Sequence, residues 1–332
     1  MSRSSRRALL AGTALAAALG LGACGVVVGV GPAPTATVGG VLDSARAQEI
    51  ATRVVGQARQ AAATPGAVGD ALRTAAFTGD ALVAARADAK LASATASTVK
   101  AQRELVAAAP SVLAVSRGAS YPRTIVAQSR YEQSDLPVLL LLVTPDARTS
   151  YRIAASVGML PGTQVPGFDQ VSTGSAGLGA ADVADGGRYG TLLDGYASSL
   201  AYPAPTSTTA PGVAAGDRFA SAVRTNAAAQ AKAVAAIGSF RQVHDLRSVV
   251  GGLHTADGRG ALVFATLDRS DTLLVRSGTL RLPSTFTVLS GLSSVSSEAD
   301  LTTLEVVALV VPPDGDATVV GGEEHLYAAS GA

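Results

Sequence analysis

The chain has one cysteine, no tryptophan, two methionines and three lysines in 332 residues. A single cysteine excludes an intramolecular disulfide framework and any cysteine-rich metal site. Aromatic residues make up only 4% of the chain, so its cores must be built mostly from Val, Leu and Ala, which bury less area each. An excess of charge of one sign is lacking too. The formal net charge is +1, and without Arg3, Arg6 and Arg7 the chain carries 23 basic and 25 acidic residues, a net of −2. A nearly neutral body gives no electrostatic case for nucleic acid or an anionic membrane surface as partner. Arginine outnumbers lysine 23 to three without forming a cluster, which reads as the codon bias of a GC-rich genome rather than a phosphate site. What is present is 48% hydrophobic residues, ample for packed cores in two domains of ordinary size.

The first residues form an export signal. Residues 1–7 carry three Arg and no acid, residues 8–20 are rich in Ala and Leu, and Leu21-Gly22-Ala23-Cys24 follows. This is the Leu-x-x-Cys pattern of a bacterial lipobox. Its basic end stays inside, its apolar segment enters the membrane, and small residues leave the backbone open to a signal peptidase cutting between Ala23 and Cys24. The expectation is a lipid on Cys24 and a body held at the outer face of the cell membrane, since two or more acyl chains anchor stably. Ser5-Arg6-Arg7-Ala8-Leu9-Leu10 also resembles the twin-arginine export signature. An uncleaved membrane anchor is the alternative, because apolar character continues through Val26, Val27, Val28 and Val30. Residues 24–40 then serve as lipidated cysteine and tether.

Beyond the tether the chain reads as two similar units, 41–165 and 181–332, joined by a Gly/Ser/Thr-rich connection at 166–180. Helical spacing runs from Val41 to Ala63 and is stopped by Pro65-Gly66, with a second helix over 67–77. Strand-like runs are predicted at Ala81–Ala92, Leu105–Val115, Thr124–Tyr131, Val138–Val143 and Tyr151–Leu160. In the last, Tyr151, Ile153, Ala155 and Val157 are expected on one face, with Arg152 and Ser156 on a wet one. The second unit repeats the order. Helical stripes at Tyr189–Leu200 and Phe219–Ile237, the latter ended by Gly238, precede runs at Phe240–His254, Ala261–Leu267, Thr272–Leu282, Phe286–Val295, Leu301–Val311 and Ala317–Ala328. Pro145-Asp146 and Pro313-Asp314 mark turns before the last strand of each unit. The fold class is therefore α+β, two tandem domains of helices followed by a curved antiparallel sheet.

This order resembles nuclear transport factor 2-like or cystatin-like folds, in which a bent sheet wraps helices into a cone. The lipobox, the helical region after it, Tyr121-Pro122-Arg123 entering a strand, and Gly260-Ala261-Leu262-Val263-Phe264 resemble an uncharacterised family of actinobacterial secreted lipoproteins. The resemblance implies fold and location and carries over no catalytic residue.

Chemical motifs are few. Ser97-Thr98-Val99-Lys100 has the Ser-x-x-Lys spacing of penicillin-binding proteins and β-lactamases, but the Lys-Thr-Gly strand those enzymes need is missing. His244, Asp245, His254 and Asp257 offer metal-type ligands without zinc spacing, and surface hairpin positions are the expectation, with no metal. Gly174–Gly179 lacks dinucleotide-loop spacing and reads as a flexible connection; no cofactor is expected. Glu305 shares its strand face with Val307, Leu309 and Val311. It is either a pocket acid of the sort nuclear transport factor 2-like enzymes use as a base, or an exposed residue at a frayed strand start. The expected function is a lipid-anchored, non-enzymatic envelope scaffold that contacts other envelope proteins. A carrier of a small apolar ligand or lipid, in a closed cavity of at least ~300 Å³, is the alternative, and an enzyme built around a buried acid is the third.

Overall fold

The computed structural model describes residues 39–94 and 103–332, all within one compact unit, Val38–Ala332. Cys24, the lipobox, Arg6, Arg7 and the Ser97–Lys100 motif lie outside the described residues. The fold is α+β, with two regions in which helices precede an antiparallel sheet.

Asp43 accepts the Arg46 amide at 2.8 Å and caps α1 (Ser44–Ala63), satisfying one of the unpaired amides of a first turn. Ile50, Val54, Val55 and Ala58 form its buried stripe. Then come α2 (Gly66–Ala76) and α3 (Gly79–Ala94). The strand predicted over Ala81–Ala92 is thus a helix. Its Ala, Arg, Lys and Leu are strong helix formers, and the buried set Ala81, Ala84, Ala87, Leu91 recurs every three or four residues rather than every second.

The first sheet has the order β1 (Ser111–Val115), β2 (Arg123–Arg130), β3 (Pro137–Thr144), β4 (Arg152–Gly158). Of the run predicted at Leu105–Val115 only β1 is a regular strand, beginning after Pro110, which has no amide hydrogen to pair. A bulge between Leu141 and Leu142 also corrects the expected faces of β4. It sends Tyr151 and Ile153 toward the helices and Ala155 and Val157 to the opposite side, because one extra residue flips every side chain beyond it.

The second region begins with one turn, α4 (Ala180–Val183), then α5 (Arg188–Ser199) and α6 (Arg218–Val234), the last capped by Asp217. Gly238 opens a strand rather than closing the helix: Ala235 is the cap. The second sheet has the order β10 (Thr318–Gly331), β9 (Glu298–Val311), β6 (Ala261–Val275), β5 (Gly238–His254). β6 runs unbroken where two strands were predicted. The run predicted at Phe286–Val295 is α7 (Ser284–Ser290) followed by β8 (Ser294–Val295), which pairs with β7 (Leu280–Arg281). Pro283 before α7 and Gly291 after it, at φ 81°, are helix punctuation that outweighs the β-branched residues between them.

Helices, sheet, sheet and helices stack in four layers. Ile125, Leu140, Leu142 and Ile153 face α1–α3. Val126, Leu139, Leu141 and Val157 face Leu262, Phe264, Val306 and Ala308 of the second sheet, whose other side presents Val263, Leu267, Val307 and Leu309 to α5 and α6. Central strands buried on both sides explain continuous runs such as Val138–Val143. Residues 161–179 act as a strap rather than a loose connection. Ser175 bridges to Ser116 beyond β1, and Gly177 bridges to Leu253 on β5. At the opposite side, Met159 after β4 bridges to Gly321 on β10.

Candidate functional site

Two clusters of buried polar side chains stand out. The first occupies the helix-facing side of the second sheet. Glu305 is fully buried in mid-strand, since β9 begins at Glu298, so the exposed frayed-start reading is overturned. Its Oε2 lies 2.9 Å from Nδ1 of His244 and its Oε1 accepts from Nη1 of Arg269 at 3.2 Å. The ring closes through Gln242. His244 Nε2 lies 3.1 Å from Gln242 Oε1, Gln242 Nε2 donates to Asp271 Oδ1 at 2.7 Å, and Arg269 Nε donates to Asp271 Oδ2 at 3.1 Å. With the amide so placed, both ring nitrogens of His244 face oxygen atoms. Burial raises the Asp271 carboxyl, against the pull of Arg269.

Glu305 does not line the cleft described next. Its chemistry is internal neutralisation of charge. His254, expected with His244 at a surface hairpin position, sits 3.1 Å from the Gly260 carbonyl, and Asp257 accepts the Arg259 and Gly260 amides. Bulges between Leu246/Ser248 and Val249/Gly251 break the alternation that would relate the two histidines. His244 is therefore a core residue, not a hairpin surface position. Among the described residues no group of three or more His, Cys, Asp or Glu is arranged to hold a metal.

The second cluster borders a cleft of about 130 Å³ between α1–α3 and the sheets. Its walls are mainly alanine, including Ala58 and Ala62 of α1 and Ala84, Ala85 and Ala89 of α3, with Phe77, Leu105 and Val306. Small side chains at helical spacing keep α3 from filling the space. One end is polar. Asp88 Oδ1 accepts from Arg103 Nη1 at 2.8 Å, and its Oδ2 lies 2.9 Å from His325 Nδ1. Arg103 also pairs with Glu323 at 3.0 Å and donates to the Glu324 carbonyl. Glu323 in turn accepts from Tyr131 at 2.8 Å and from the Gly158 amide at 3.1 Å.

Burial pushes the Asp88 carboxyl up, but His325 and Arg103 outweigh it and leave it below its ordinary value. Burial and then Glu323 push the Tyr131 phenol well above its ordinary value. These groups pair with one another and leave an apolar cleft with a hydrogen-bonding end. Sequence reasoning missed them because Asp88 stood in a predicted strand, while Arg103, Tyr131, Glu323 and His325 belong to segments remote in sequence. Glu323 and His325 at alternate positions of β10 were the available signal.

Comparison with family models, with curated proteins and with solved structures finds no match for this chain.

Proposed function

We propose that this chain is an exported, lipid-anchored binding protein whose cleft beside α3 takes a small, largely apolar molecule. The cleft is the observation that carries the reading: alanine and aromatic walls with a few hydrogen-bonding groups at one end are the make-up of a ligand pocket. Its volume of about 130 Å³ is below the roughly 300 Å³ of drug-sized pockets. It matches the ~150 Å³ apolar cavity that holds benzene in an engineered protein. The occupant is therefore a small molecule and not a whole lipid. Location rests on Leu21-Gly22-Ala23-Cys24, and Cys24→Ala is expected to release the protein from membranes. The finer likeness to nuclear transport factor 2-like or cystatin-like domains belongs to this proposal. Its support is that helices precede a four-stranded meander in the first half.

Native mass spectrometry of the full chain from a related host tests the reading. The expected result is a mass excess that disappears on denaturation and is lost in Ala85→Leu, which fills the cleft. A clean apo mass in the unaltered chain would refute it and leave the envelope-scaffold reading in its place, to be pursued by crosslinking.

A further inference from the structure

The polar groups at one end of the cleft are hydrogen-bonded to one another, whereas another of its lining residues is only partly satisfied. Arg73 of α2 is only 8% exposed and lines the cleft. Its Nη1 donates to the Ala61 carbonyl at 3.2 Å, in the last turn of α1. Its Nε is buried without a hydrogen-bond partner, and Nη2 donates to no other described residue. The nearest carboxylate, Asp70, lies 3.8 Å from Nε. That carboxylate is already held by two bonds from Arg86, at 2.8 and 2.9 Å. A buried guanidinium without a hydrogen-bonded counter-ion is costly, and proteins pair such charges. Nε is shielded and lies nearest Asp70, so Nη2 is the nitrogen left for a ligand, a charged donor suited to one oxygen of a carboxylate.

We infer that the ligand of the cleft is a small monocarboxylate, its carboxylate held by Arg73 and its apolar body lying against the alanines of α1 and α3. This rests on the binding reading above. A single cation selects a single negative charge. A phosphate dianion would bring a second charge toward Asp88, whose partners Arg103 and His325 are already engaged, Arg103 with Asp88 and Glu323 and His325 with Asp88.

Calorimetric titration of the full chain with straight-chain carboxylates from butanoate to octanoate, each beside its matched primary alcohol, tests the inference. Carboxylates are expected to bind at least tenfold more tightly than the alcohols. Arg73→Met is expected to remove that preference while leaving alcohol binding within about threefold, and Arg73→Lys to keep part of it. Thermal unfolding of both variants shows whether they fold. Equal binding of acid and alcohol by the unaltered chain would overturn the inference while leaving the binding reading intact. A preference that survives in folded Arg73→Met would overturn the role of Arg73. No binding of either series would overturn the inference, and the fate of the binding reading would then be decided by the native mass.

Discussion

Replacing Glu305 by alanine should be among the most damaging single changes available in the second sheet. The substitution removes the acceptor of His244 at 2.9 Å and one acceptor of Arg269 at 3.2 Å. Hydrogen bonds to charged groups contribute about 1.5–3 kcal/mol each. Arg269 keeps Glu324 and Asp271, so its share falls at the low end, while His244 keeps a buried N–H with no acceptor. The sum, about 3–5 kcal/mol, agrees with the cost of breaking a buried ion pair by removing one partner. With an unfolding entropy of about 2.1 cal/mol/K per residue over Val38–Ala332, that is a fall in Tm of roughly 5–8 °C. Glu305→Gln keeps the shape and one oxygen, and should cost about half as much. Urea unfolding of both variants, followed by circular dichroism, is the assay. A loss below about 1 kcal/mol for Glu305→Ala would mean that water reaches the ring and that the charges are not mutually dependent.

Three further outcomes follow from local geometry. The Tyr151 hydroxyl is buried without a partner, and burial pushes its phenol up to about 12; Tyr151→Phe should stabilise by about 1 kcal/mol, read from the urea midpoint, and a loss would reveal a hidden partner. Asp257 is lowered from 3.8 to about 2 by the Thr255 hydroxyl and the Arg259 and Gly260 amides. A depressed carboxyl stabilises the fold above its unfolded pKa and loses that contribution as pH falls through the folded one, so Asp257→Asn should flatten the stability profile between about pH 4 and 2; an unchanged slope there would refute the assignment. A Cβ at Gly322 would stand 2.3 Å from the Phe219 ring, and Gly322→Ala should cost about 1–3 kcal/mol by overpacking, measurable as a lower Tm; no change would mean that α6 shifts freely.

Much of the architecture was legible because burial writes itself into the spacing of apolar residues. The stripe of α1 and the double-sided run Val138–Val143 follow directly from which faces are covered. Alanine carries little such information. In α3 it occupies buried and half-buried positions alike, so only helix propensity distinguishes the segment from a strand. Bulges are invisible in the same way, because the extra residue in β4 alters no residue type yet reverses the sides on which Ile153 and Ala155 lie. The ring around Glu305 had a trace: Gln242 and His244, and Arg269 and Asp271, each interrupt an apolar face at alternate positions. Their partnership depends on strand register, which pairs His244 with Arg269 and Gln242 with Asp271. Arg73 gave no sign at all, since an arginine on a helix, here between Leu72 and Thr74, is ordinarily solvated.

The strap at residues 161–179 and the Met159–Gly321 bridge have a bearing on how the molecule meets others. Open strand edges recruit further strands, whether from a partner's extended segment or from another copy of the same chain. Here each lateral margin of the double sheet is stitched to its own chain: β1 and β5 by the strap, β4 and β10 by each other. At high local density an open margin invites polymerisation. Each of these bridges occupies, with the molecule's own backbone, a point where a foreign strand would otherwise begin to pair.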